Sequence, residues 1–84
     1  MSSANAVRAY VAAEYIDPAR ASGVKHVDVP ARAVHDGMGL RERFPLVCDT
    51  LRGRKFAEEN RVRCLPWDGP RQSSTTVFHF ELLG

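Results

Sequence analysis

Arg61-Val62-Arg63-Cys64-Leu65, then Pro66-Trp67-Asp68-Gly69-Pro70-Arg71-Gln72-Ser73-Ser74, then Thr75 to Leu83: this closing third of the chain decides its fold. The first segment alternates, with Val62 and Cys64 on one side and both arginines on the other. The last alternates too, with Phe78, Phe80 and Leu82 on one face and Val77, His79 and Glu81 on the opposite one. The segment between them is rich in Gly, Pro and Ser, so the two strands are expected to pair as an antiparallel hairpin.

Upstream of the hairpin, Arg41 to Lys55 reads as a helix, with Pro45 tolerable inside the first turn. Phe44, Val47, Cys48 and Leu51 fall in one arc at ~100° per residue, so that face packs inward; Phe56, just beyond, is also a core candidate. Before it, Pro30 suits the start of a short helix whose apolar stripe is Ala31, Val34 and Met38. Gly39 closes that helix, and Leu40 sits where a hydrophobic contact accompanies such an ending. Val24 to Val29 has strand character, with Val27 and Val29 pointing opposite to His26 and Asp28. The N-terminal segment is a longer helix capped at Ser3 or Asn5, with Val7, Val11 and Tyr15 inward. Asp17-Pro18 interrupts it, as a stop or as the start of one further turn, and Gly23 terminates it. Tyr10 and Ile16 fall outside its narrow stripe and widen it or meet a partner.

Helix, strand, helix, helix, strand, loop, strand is the element order from Ala4 to Leu83, and in that order the chain resembles the winged-helix family. Ala31 to Met38, Gly39-Leu40 and Arg41 to Lys55 look like its helix-turn-helix, and Trp67 to Ser74 looks like its wing. The resemblance implies an α+β fold, a small winged helix with a three-stranded antiparallel sheet, formed by residues 1–84 as one domain. It also implies double-stranded DNA binding through the third helix and the wing, in a transcription-regulatory or other DNA-associated role. Some members of the family serve only as protein–protein modules.

Charge agrees with a DNA partner. The net charge is only +2, yet seven of the twelve Lys and Arg residues lie between Arg41 and Arg63, against four acids in the same window. The basic surface is therefore local. With Leu51 taken as the buried direction, Arg41 and Arg52 flank the outward face of the third helix on one side. Arg43 and Arg54 flank it on the other, with Thr50 beside them. Such flanking positions suit phosphates. Arg71 at the wing tip is placed for an adjacent minor groove, and Arg61 and Arg63 line the hairpin. The centre of the outward face is less suitable for a polyanion: it holds Glu42, Leu46, Asp49 and Gly53. Asp49 could accept a bond from a cytosine amino group. The same stripe supports a second reading, a protein–protein adaptor docking through Leu46 and Trp67 without direct DNA contact. Trp67 otherwise caps the small core beneath the hairpin, and Leu65 and Leu83 are further candidates for exposed apolar contact.

Other classes find little support. No Gly-rich phosphate loop, His-Glu-x-x-His sequence or nucleophile elbow is present, so no enzyme is expected. Asp28, His35 and Asp36, or Cys48 and His79, could meet in space, but such pairs arise readily by chance. Cys48 and Cys64 read as small buried hydrophobes, and His26, His35 and His79 show no zinc spacing, so neither metal nor cofactor is expected. No apolar run approaches the ~20 residues of a bilayer span. The segment from Met1 to Ala6 lacks the regions of a signal peptide. These features lead to an intracellular expectation, cytoplasmic or nucleoid-associated. A core this small favours a homodimer, through the first helix with Tyr10 and Ile16, or membership of a larger assembly.

Overall fold

A computed structural model of the chain describes residues 3–84. Met1 and Ser2, at the head of the segment read as lacking a signal peptide, lie outside the described residues. The elements are helix α1 (Ser3–Val11), a π turn (Ala12–Ile16), α2 (Asp17–Ala21), β1 (His26–Pro30), α3 (Ala31–Gly37), α4 (Phe44–Arg52), α5 (Arg54–Asn60), β2 (Val62–Cys64) and β3 (Val77–Leu82). The architecture is mixed α+β, with a three-stranded antiparallel sheet in the order β1-β3-β2.

α1, the π turn and α2 form one rod, and Pro18 explains its irregular middle. Proline has no N–H to give the carbonyl four residues back, and its ring crowds that carbonyl. The chain absorbs the misfit by widening one turn, so that the Asp17 N–H bonds to the Ala12 carbonyl five residues earlier. A π turn inserts one residue into the helical phase. The inward positions therefore run Val7, Val11, Ile16 and Ala19, all buried, while Tyr15 is only half-buried. Ile16 takes the fully buried position and widens the stripe, Tyr15 packs half-buried against the core, and Ile16 cannot carry the dimer contact expected of it. Tyr10 is also occupied within the fold: it packs against the core, and its hydroxyl lies 2.0 Å from where a Cβ on Gly37 would be.

α3 starts directly from β1, its first N–H (Ala31) bonded to the Thr76 carbonyl at 2.9 Å. It closes at Gly39, whose φ of 69° is left-handed and easy only for glycine. The Leu40 N–H reaches back to the His35 carbonyl at 3.0 Å and the Gly39 N–H to Asp36 at 3.0 Å, so the helix end is satisfied. α4 begins at Phe44, three residues later than expected. Glu42 is left-handed at φ 51°, and the Arg43 N–H is bonded to His35 Nε2 at 3.1 Å instead of to a helical carbonyl. Arg41, Glu42 and Arg43 thus belong to the α3–α4 connection. At the other end Gly53 is extended (ψ 151°), so the single long helix expected here is split into α4 and α5.

The core lies between the helices and one face of the sheet. Phe78 and Phe80 of β3 and Phe56 of α5 are fully buried, with Phe56 and Phe80 rings 5.2 Å apart and tilted by 55°. Each such ring contributes roughly 1.5–3 kcal/mol of burial free energy. A polar fastening completes the packing. α5 ends at Arg61, left-handed at φ 54°, which leaves its last carbonyls without helical partners. Arg20 of α2 supplies them: its guanidinium donates to the carbonyls of Asn60 and Arg61, the latter at 2.8 Å, and to Leu83 at 3.1 Å. One side chain therefore joins the rod, the end of α5 and the end of β3.

Replacing Arg20 by Met should lower unfolding free energy by about 1–2 kcal/mol, the order of a lost charge-assisted bond at a partly solvated site. Urea unfolding measures this. Arg20→Lys should recover less than half of the loss, because a single ammonium cannot fork to three carbonyls.

Candidate nucleic-acid interface

The residues singled out for DNA contact separate into two groups. Arg52 leads the first. Its side chain is only 10% exposed. The guanidinium donates to Asp49 one helical turn back and to the Arg71 carbonyl, and it lies over the Trp67 ring, 5.4 Å from its centroid. Trp67 in turn tilts against Phe78 at 6.0 Å. Asp49 accepts a second bond, at 2.8 Å, from Gln72 Nε2. The β2–β3 loop is thereby laid back onto α4, and Asp49 is neutralised by groups of this same chain.

Thr50 is buried and has no route to a ligand, contrary to its expected place beside Arg43 and Arg54. A helical wheel of α4 alone places it outside because it carries no information on the elements packed against that side of the helix. Leu46 is half-buried against the core, and so is Trp67. Arg63 pairs with Glu81 across the sheet, and Arg61 reaches the Gly84 carbonyl at 3.3 Å.

The second group is Arg41, Arg43, Arg54 and Arg71, joined by Lys55, which the sequence reading passed over. All are exposed, and among the described residues none has a carboxylate within 4.0 Å. Among the described residues the Arg43 guanidinium donates only to Ser3 Oγ, at 3.5 Å. Arg41 and Arg43 stand at the start of α4; Arg54 and Lys55 follow its end, and Arg71 is held there by Arg52. At 1.5 Å per residue the nine residues of α4 separate these two sets by ~13 Å, close to the ~12 Å width of a B-DNA major groove. Between them α4 exposes only Pro45 and Asp49 outright.

The loop has its own internal order. Asp68 and Val77 exchange two backbone bonds at 3.0 Å, and the Thr75 N–H bonds to Ser73 Oγ at 3.1 Å. Gly69 has φ 87°, and a Cβ there would stand 2.9 Å from the Thr75 carbonyl oxygen, so the turn requires glycine.

His35 and His79 are engaged within the fold. His35 is buried, stacked on Phe44 at 4.0 Å, and bonded at Nε2 to the Arg43 N–H and at Nδ1 to Asp36 at 3.2 Å. Those partners fix a ring with its proton on Nδ1. Asp28 meets His79 rather than His35. Cys48 lies in the core, whereas His79 faces away from it on the sheet, so the Cys48–His79 pairing does not form. Burial pushes both cysteine thiols up, which keeps them protonated and poorly nucleophilic near neutrality. Among the described residues no group of three or more His, Cys, Asp or Glu side chains is arranged to hold a metal ion. No helix of the described residues is long and apolar enough to cross a membrane.

The chain matches no protein-family model, no curated protein and no solved structure.

Arg52→Met should cost about 1–2 kcal/mol in chemical unfolding, since it removes the bonds to Asp49 and Arg71 and the contact with Trp67. Because Trp67 is the only tryptophan, its emission should shift to longer wavelength in the same variant. Arg54→Met, on an exposed side chain, should stay within ~0.5 kcal/mol of the parent and leave the emission unchanged.

Proposed function

We propose that this chain is a winged-helix-type domain that binds double-stranded DNA through its phosphates, with little base readout. The element order and the antiparallel sheet agree with that family, and the β2–β3 loop would be its wing. The observation that carries the reading is the set of exposed cations without acidic partners, Arg41 and Arg43 at one end of α4 and Arg54, Lys55 and Arg71 at the other. Their separation suits phosphates on the two sides of a groove. The outward stripe of α4 argues against base readout: Pro45 offers no donor, Asp49 is already bonded to Arg52 and Gln72, and Thr50 is buried. The role that follows is DNA association across sequences rather than recognition of a single operator.

The adaptor reading draws on another surface. Leu46 and Trp67 are half-buried and used within the fold, but Val24 and Leu83 are 48% and 42% exposed and both line the cleft at the open end of the sheet. A protein partner would dock there.

Binding to mixed-sequence duplexes at several salt concentrations tests the proposal. With about four cations engaged, log Kobs against log salt should have a slope near −4, at roughly −0.9 per neutralised phosphate. Arg71→Ala and Arg54→Ala should each reduce the slope by about 1, while affinities for unrelated sequences stay within ~10-fold of one another. Absence of binding at low salt would overturn the DNA reading in favour of the adaptor, and Val24→Asp or Leu83→Asp would then be the informative variants.

A further inference from the structure

Both ring nitrogens of His79 are spent on carboxylates. Nδ1 lies 2.6 Å from Asp28 Oδ1, and Nε2 lies 2.7 Å from Asp68 Oδ2. An ionised carboxylate has no proton to give, so the two contacts are both hydrogen bonds only when the imidazole carries two protons. The partners come from different parts of the fold. Asp28 is the direct cross-strand neighbour of His79, on β1. Asp68 lies at the root of the β2–β3 loop, attached through its backbone to Val77. A doubly protonated His79 therefore ties the outer face of the sheet to the loop that carries Trp67 and Arg71.

The remaining charges on that face do not compete for the ring. Glu81, two residues along β3, stands opposite His26 of β1 and Arg63 of β2, and Arg63 is its ion-pair partner. The hydrogen bond to Asp28, then that to Asp68, holds the His79 pKa above the ordinary imidazole value, against a smaller desolvation effect.

We propose that Asp28, His79 and Asp68 form a pH-operated latch, closed while His79 is doubly protonated and opened on its loop side when the ring loses one proton. The loop side opens because a neutral ring keeps a single N–H. Asp28 lies within the continuous β1–β3 ladder, whereas Asp68 is held to β3 only by an isolated bridge at the root of the loop, so the Asp68 side is the one that yields. At Nε2 the bond would then be replaced by a lone pair facing a carboxylate. The sign follows from the raised folded-state pKa: the stabilisation is complete below the unfolded value of about 6.5 and is lost as pH rises through the higher folded value. Both carboxylates are largely exposed, so solvent screens the latch and its effect is modest. The latch does not depend on the DNA reading.

The test combines a histidine NMR titration with loop readouts on the same intact chain. His79 ring resonances are followed from pH 5 to 9, together with Trp67 emission and amide-exchange protection factors for residues 69–76. Expressing exchange as protection removes its intrinsic pH dependence. In the parent, protection should fall roughly two- to fivefold, the range an exposed ion pair commands, with the same midpoint as the His79 titration. Asp68→Asn should lower that midpoint and abolish the loop response. Asp28→Asn should lower the midpoint but keep the loop response, displaced to the lower pH. Loop protection and Trp67 emission that stay flat through the His79 titration would overturn the latch. So would a His79 midpoint that is the same in the parent and in Asp68→Asn.

Discussion

The register of β3 is the constraint on which the rest of the structure depends. It is the middle strand, bonded to β1 on one side and β2 on the other, and its residues alternate between the core and the outer face. Phe78 and Phe80 enter the core; His79 and Glu81 do not. Slipping the strand by one residue would exchange these sets, exposing two phenylalanines and burying a histidine and a glutamate. That single choice also presents the Thr76 carbonyl to the first N–H of α3 and holds Asp68 beside Val77. The core, the start of α3 and the root of the loop thus share one origin.

A second level of order is set by arginines whose guanidinium groups bond back onto the chain's own carbonyls. Arg20 satisfies the carbonyls that α5 leaves open, and Arg52 fastens the β2–β3 loop to α4 while resting on Trp67. Guanidinium suits both positions because its planar fork reaches several acceptors at once. The basic cluster between Arg41 and Arg63 is therefore not one surface. Arg52, Arg61 and Arg63 are engaged within the fold, and what remains for a polyanion is divided between the two ends of α4. This division is the ground on which phosphate contact, rather than base contact, is proposed.

Much of the fold was legible in local pattern. Alternation located β3 and β2, Gly39-Leu40 marked the end of α3, and Pro45 was correctly placed within a first helical turn. The misreadings have specific causes. Pro18 produced a π turn rather than a break, which gave Ile16 the fully buried position and left Tyr15 at the margin of the core. Glu42 entered the left-handed region, so the helix began at Phe44 and a wheel drawn from Arg41 misjudged its surroundings. Thr50 is buried within the fold although a wheel places it beside the exposed arginines. Long-range pairing hid the rest: Arg20 donates to the Leu83 carbonyl, Arg52 to the Arg71 carbonyl, and His79 meets Asp28, at separations of 63, 19 and 51 residues, and such pairings leave no trace in local sequence. Lys55 and the free arginines could have been told from the engaged ones only by knowing where the acids and open carbonyls lay.

The most direct measurement is a chemical-shift titration of the isotopically labelled domain with a mixed-sequence duplex at low salt, following backbone amides and arginine Nε signals. The account predicts perturbations concentrated at Arg41, Arg43, Arg54, Lys55 and Arg71, with the Arg52 Nε signal unmoved. Perturbations centred on Asp49 and Arg52 would contradict it by showing that the loop lifts and α4 reads the groove. The absence of any perturbation would remove DNA as the partner.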